Sequence, residues 1–257
     1  MPVIVASRGG GKRDGFFAGG GANMDETWFA PVCAYCERAD GSFWAEPVNA
    51  LSNAAFLIAA GAVAWRERRA PRRDPVVLGL AGLVAVIGLG SFLFHTLAVR
   101  WSLLADVIPI AAFIHAYFFL AMRRFFAFGP GPALAATLLF AAFGFGLEPA
   151  LDILFGPALA AATNGSLGYA PAILALLGVG TGLLMPRGGG HDPARRAAGV
   201  SLLGLAGLFA LSLAFRTLDR SLCASLPLGT HFVWHVLNAG VLGGLLVTAL
   251  RYRARRG

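Results

Sequence analysis

Long apolar segments, separated by short polar or charged stretches, dominate the sequence. Seven of them approach the length of about 20 residues that a helix needs to cross the hydrocarbon of a bilayer. We predict spans at 47–65, 75–97, 104–122, 131–147, 168–186, 197–215 and 228–250. The fourth is the shortest and is rich in glycine. The pattern therefore predicts an all-α membrane protein built as a bundle of seven transmembrane helices.

The composition agrees with this class of protein. Of the 257 residues, 57% are hydrophobic and 13% are charged, which is too apolar for an ordinary soluble domain. Residues 1–23 are glycine-rich and lack the apolar core of a secretory signal peptide, so we predict a disordered tail there. We expect an extracytoplasmic segment at 24–46, the seven-helix domain at 47–250 and a basic cytoplasmic tail at 251–257.

The net charge of +8 would suit a nucleic-acid-binding protein. The arginines, however, are concentrated in alternate connections between the spans, as in a membrane protein. They follow spans one, three and seven and lie between spans five and six, whereas the connection between spans four and five carries Glu148 and Asp152. Positive loops stay in the cytoplasm, which predicts an outside N-terminus and a cytoplasmic C-terminus. Arg8, Lys12 and Arg13 argue weakly against this orientation. We expect no nucleic-acid partner.

Three histidines and an aspartate stand at the ends of otherwise apolar segments. His95 ends span two, Asp106 opens span three, and His231 and His235 open span seven, so the predicted topology places all four near the outer face. Polar groups at membrane depth are costly and mark functional sites. Histidines four residues apart share one face of a helix and can bind one metal ion. The pattern therefore predicts a zinc centre of His95, His231 and His235.

The residue types around these histidines indicate hydrolysis. Three imidazoles with one open position are typical of catalytic zinc, which lowers the pKa of a bound water to about 7. Asp106 would accept a proton or orient a ligand, and Ser91, one turn before His95, would hydrogen-bond a developing oxyanion. Simpler roles stay open: Asp106 as a cap or dipole partner of span three, with Pro109 in its first turn, and Ser91 bonded to a backbone carbonyl.

The two remaining histidines are predicted to lie outside this centre. His115 falls deeper in span three, at the wrong spacing, and is expected to be an ordinary hydrogen-bonded core residue. His191 falls in a predicted cytoplasmic loop and is expected to be solvated.

The order and spacing of these residues resemble those of the alkaline ceramidase family, whose wider superfamily contains adiponectin-receptor-like and haemolysin-III-like proteins. The matching motifs are Ser91-x3-His95, Asp106 eleven residues after His95, and His231-x3-His235 in the last span. Cys36-Glu37 and the run at 43–53 resemble the family's cysteine–glutamate element and the start of its first helix. The resemblance covers roughly residues 33–250.

This resemblance implies a zinc-dependent amidase that cleaves ceramide, reached from the membrane, into a sphingoid base and a fatty acid. The family's zinc ligands carry over to His95, His231 and His235, and its serine and aspartate carry over to Ser91 and Asp106.

The resemblance also implies a calcium ion in the N-terminal segment. Glu37 and Glu46 match two of its ligand positions, whereas Ala34 stands where the family has an aspartate. Asp40 would compensate, because calcium accepts varied oxygen ligands in flexible geometry. The alternative is a solvated loop with a carboxylate at a helix N-terminus.

The three cysteines are Cys33, Cys36 and Cys223. The predicted topology places Cys36 and Cys223 outside, where disulfides persist. The family pattern implies that these two pair and that Cys33 is left over. Cys33 and Cys36 also form a CxxC, so a bridge between them stays open.

Other functions remain open at this point. The arginine- and alanine-rich composition is typical of bacteria, which favours the inner membrane, an active site near the periplasmic face and another N-acyl lipid as substrate. A non-catalytic, receptor-like protein would use the same zinc to hold helices together. A transporter would line a whole path with polar groups, whereas here they crowd one end. The sequence makes no prediction of oligomeric state.

Overall fold

The computed structural model describes residues 27–156, 158–186 and 192–254. Regular structure in these ranges is helical, apart from one isolated antiparallel bridge between Pro31 and Val99. The predicted tail at 1–23, His191 and the last three residues of the basic tail lie outside the described residues.

Seven of the described helices are long and apolar enough to cross a membrane. They are α1 (Pro47–Arg68), α2 (Pro75–Leu97), α3 (Arg100–Arg124), α4 (Pro130–Phe155), α5 (Ser166–Leu184), α6 (Pro193–Leu222) and α7 (His231–Ala254). α1 consists of the segments Pro47–Ser52 and Ala54–Arg68, and a short helix at Ala158–Ala162 precedes α5. The predicted fold class is confirmed, and the orientation of the termini stays a prediction.

The local sequence explains where several helices begin. α1, α2, α4 and α6 each open with a proline, which has no N–H to lose in the first turn and a backbone already set for a helix. Asp74 caps α2 by accepting from the N–H of Val77, and Asp192 caps α6 by accepting from the N–H of Ala194.

Consecutive helices pack side by side, and α7 closes the ring against α1. α7 is the most buried span and α4 the least. The core along α7 is aliphatic, with Leu246 and Ala249 fully buried. The bundle therefore places the two histidines at the start of α7 against the ends of its neighbours.

Two local predictions are wrong. α4 continues beyond residue 147 to Phe155, so Glu148 and Asp152 lie inside the helix and not in the following connection. Pro149 interrupts only one backbone hydrogen bond, and membrane helices tolerate such a break. α3 begins at Arg100 and not at the predicted residue 104, with Val99 as its cap, which excludes the alternative role of Asp106 as a cap and places Pro109 in the helix interior.

Candidate metal centre

Four helix ends meet at one end of the bundle, which we call the histidine end: the end of α2 and the starts of α1, α3 and α7. His95 comes from α2, and His231 and His235 come from α7. Each offers one ring nitrogen, and these nitrogens lie within 4.8 Å of one another. All three side chains are buried. Within the described ranges, this is the group of histidine, cysteine or carboxylate ligands that could hold a metal ion.

A hydrogen bond fixes the ring of His95. Its Nδ1 lies 2.6 Å from Glu46 Oε2. Burial alone would raise the pKa of Glu46, but hydrogen bonds from His95 and Arg38 outweigh this effect and lower it. The ionised carboxylate can only accept, so Nδ1 carries the hydrogen. The Nε2 of His95 is buried and has no protein partner, which makes this nitrogen the candidate metal ligand.

A serine fixes His235 in the same way. Ser52 Oγ donates its only hydrogen to the carbonyl oxygen of Asn49 at 2.8 Å. It therefore accepts from His235 Nδ1, which lies 2.7 Å away, and Nε2 keeps its lone pair. The Nδ1 of His231 is a further buried ring nitrogen without a protein partner. Two of the three imidazoles are thus oriented through Nδ1, and the cluster fits a divalent metal ion.

Asp219 anchors the start of α7, a role that the sequence did not reveal. Its Oδ1 accepts from the backbone N–H groups of Thr230 at 2.7 Å and His231 at 2.9 Å, and its Oδ2 accepts from the N–H of Cys36 at 3.0 Å. The chain turns at Gly229 with a φ of +64°, and a Cβ there would collide with Asp219 Oδ1. The only available signal was a carboxylate at the end of an apolar segment.

The N-terminal segment covers the centre. A disulfide joins Cys36 to Cys223, as the resemblance implied, and Cys33 is free and exposed. The ring of Tyr35 stacks on His231, with 3.5 Å between ring centroids and 15° between planes. Burial raises the pKa of Tyr35, so this residue remains a neutral phenol. No sequence pattern predicted Tyr35 at this position.

Ser91 and Asp106 face each other beside the histidines. Both side chains are buried. The close approach of α2 and α3 depends on Gly90, because a Cβ there would run into the carbonyl oxygen of Ala105. Gly90 and Ala105 immediately precede Ser91 and Asp106, so this contact sets the separation of the pair.

Among the described residues, Glu37, Asp40 and Glu46 do not come together as one group of metal ligands. Glu37 accepts from the N–H groups of Val48 and Asn49, at 2.7 and 2.8 Å, and so caps α1. Asp40 is exposed and accepts from the N–H of Ser42. Glu46 is occupied by His95 and by Arg38, whose Nε lies 2.5 Å away. Each carboxylate already has protein donors, so these residues do not fit a calcium ion.

An arginine inside span six was also missed. Arg216 donates to the carbonyl oxygen of Asn164 at 2.6 Å and to Ser166 Oγ at 3.0 Å. Its guanidinium lies 5.3 Å from the ring centre of Tyr169 and 5.9 Å from that of Trp234, which lies between the two histidines of α7. Arg216 therefore ties the α4–α5 connection to the histidine end.

A cavity of about 1060 Å³ lies between α3, α4 and α5. Leu103 and Ile110 line it one turn before and one turn after Asp106, and Tyr169 lines its side towards α7. His115 also lines it, with Nδ1 2.7 Å from the carbonyl oxygen of Ala111. The structure thus keeps His115 away from the other three histidines, as predicted.

No protein-family model matches this chain, and no curated protein matches it.

Proposed function

We propose that this protein is a zinc-dependent amidase that hydrolyses the N-acyl bond of a membrane lipid, with ceramide as the first candidate substrate. One observation carries the proposal: three buried imidazoles, two of them oriented by Glu46 and Ser52, lie beside the buried side chains of Ser91 and Asp106. Structural zinc sites are usually closed by four protein ligands, whereas three leave a position open for water or substrate.

His95, His231 and His235 would hold the ion. Neutral imidazole nitrogens suit zinc, and the partners of His95 and His235 are of the kind that orient zinc ligands. When bound, zinc polarises a carbonyl oxygen and lowers the pKa of a coordinated water.

Asp106 would transfer the proton, and Ser91 would stabilise the developing oxyanion. Asp106 accepts a proton from the attacking water and delivers it to the amide nitrogen as the carbon–nitrogen bond breaks. A new carbon–oxygen bond forms, and the products are a fatty acid and an amine. The Ser91 hydroxyl would donate to the carbonyl oxygen as negative charge develops there.

The cavity between α3, α4 and α5 supports a lipid as the substrate. Its volume of about 1060 Å³ and its lining of aliphatic and aromatic side chains suit an acyl chain. Because Leu103 and Ile110 flank Asp106 on α3, a chain in this cavity would lead its amide towards the proton-transfer pair. We place the protein in a bacterial inner membrane, with the histidine end near the periplasmic face.

The test is fatty-acid release from lipid amides by the purified protein in detergent, with zinc content measured on the same samples. We expect the parent to release fatty acid and Asp106→Asn to bind zinc normally with a large loss of turnover, because the amide side chain cannot carry the proton. Full activity of zinc-loaded Asp106→Asn would contradict the acid–base role. One zinc per chain without turnover on ceramides or other N-acyl lipids would favour the receptor-like alternative.

A further inference from the structure

Three oxygen acceptors converge on the side chain of Arg38. Its Nε donates to Glu46 Oε1 at 2.5 Å, its Nη2 donates to the carbonyl oxygen of His95 at 2.9 Å, and its Nη1 donates to the carbonyl oxygen of Asp40 at 3.2 Å. Only 6% of the arginine side chain is exposed. The planar guanidinium can make these contacts together because its donors lie in a fixed fork.

Arg38 thereby holds His95 from two directions. One contact fixes the His95 backbone directly, and the other fixes Glu46, whose second oxygen holds His95 Nδ1 at 2.6 Å. Glu46 is available for this because Glu37 caps α1 in its place. The orientation of the His95 ring, with Nε2 towards the other histidines, therefore depends on contacts made by Arg38.

The same contacts disfavour a divalent cation in the N-terminal segment. A calcium ion takes six to eight oxygen ligands, and both oxygens of Glu37 are already used by backbone N–H groups. A cation bound to Glu46 would also lie beside the positive guanidinium and would have to displace it.

We propose that Arg38 is a positioning residue that takes the place of a bound calcium ion, so that the histidine centre binds zinc with full affinity without calcium. This inference rests on the metal site within the proposed function and does not require amidase activity.

Zinc affinity, measured by chelator competition on the purified protein, tests the proposal. For the parent we expect the same affinity in excess calcium and in a calcium chelator. Arg38→Gln should bind zinc about 10- to 100-fold more weakly, which is typical for loss of a group that orients a ligand. Arg220 is exposed at the end of α6, so Arg220→Gln is the matched control and should leave the affinity unchanged.

A double-mutant cycle separates positioning from a general structural role. If Arg38 acts through Glu46, adding Arg38→Gln to Glu46→Gln should weaken zinc binding less than it does in the parent. Additive effects, or parental affinity in Arg38→Gln, would overturn the proposal. So would zinc binding by the parent that tightens tenfold in calcium, a result that can be obtained even if the variants fail to fold.

Discussion

Glu46 and Asp74 occupy equivalent places in the sequence and do different work. Each carboxylate immediately precedes a proline that opens a membrane span, Pro47 in α1 and Pro75 in α2. Both are almost fully buried. Asp74 caps its own helix, whereas Glu46 makes no cap hydrogen bond and Glu37 supplies the cap instead.

The partners of the two carboxylates differ accordingly. Asp74 Oδ2 lies 2.8 Å from Arg124 and 3.2 Å from Arg253, so it joins the start of α2 to the ends of α3 and α7. Glu46 also pairs with an arginine, but its second oxygen holds the imidazole of His95. Because Glu37 caps α1, Glu46 is free to orient a metal ligand.

The largest effect expected of any substitution is the loss of the metal from the histidine end. His231→Ala should reduce zinc from one per chain to none, because two imidazoles and water make a far weaker site. Asp74→Asn should keep one zinc per chain, and so should His115→Ala, which removes a histidine outside the cluster. Elemental analysis of the purified variants measures this, and full zinc in His231→Ala would contradict the assignment.

Asp74→Asn should instead lower the free energy of unfolding, by about 3 kcal/mol, because it leaves buried parts of Arg124 without a counter-charge. Denaturant unfolding in mixed micelles measures the change. Unchanged stability, or a loss of zinc affinity in the folded variant, would contradict the assignment of a purely stabilising role to Asp74.

Low pH should weaken the ion pairs of Asp74 with Arg124 and Arg253. Burial would raise the pKa of Asp74, but the Val77 N–H and the guanidinium groups of Arg124 and Arg253 outweigh it and lower the pKa. Because the folded-state pKa lies below that of the unfolded chain, the stability is present above about pH 4 and is lost as the pH falls through the folded-state value. The pH dependence of unfolding below pH 4 should therefore be shallower in Asp74→Asn than in the parent.

Glu46→Gln should weaken zinc binding by about 10- to 100-fold while the protein remains folded, because the amide holds His95 Nδ1 less strongly. Chelator competition measures the affinity, and Asp74→Asn is the matched control. Equal affinities in both variants would mean that Glu46 is structural like Asp74.

The smallest effect is expected at Ser52. Ser52→Ala removes a neutral acceptor from His235 Nδ1, so zinc affinity should fall about tenfold, at the lower limit for such partners. Ser201→Ala is a suitable control, because Ser201 Oγ bonds only to the preceding turn of α6. A larger loss at Ser52 than at Glu46 would reverse the ranking of the two orienting groups.

The seven spans and the three histidines could be predicted because their signals are local. An apolar run of sufficient length predicts a membrane span, and a histidine at the end of such a run predicts a metal ligand. The end of α4 was predicted at residue 147 because Glu148 and Pro149 disfavour a membrane helix. The apolar residues that follow outweigh this local preference, and the helix continues to Phe155.

Asp219, Tyr35 and Arg38 were missed because their roles arise from contacts between distant parts of the chain. The bond from Cys36 N–H to Asp219 spans 183 residues, and no periodic pattern in the sequence marks either partner. The capping of α1 by Glu37 was likewise hidden, although its two acceptors decide what Glu46 can do.

X-ray absorption spectroscopy at the zinc edge of the purified, zinc-loaded protein examines the metal centre most directly. We predict three imidazole nitrogens and one oxygen at about 2.0–2.1 Å, with the oxygen replaced when an inhibitor binds zinc. A sulfur neighbour at about 2.3 Å, or four protein ligands with no exchangeable oxygen, would contradict an open three-histidine site and with it the proposed hydrolysis.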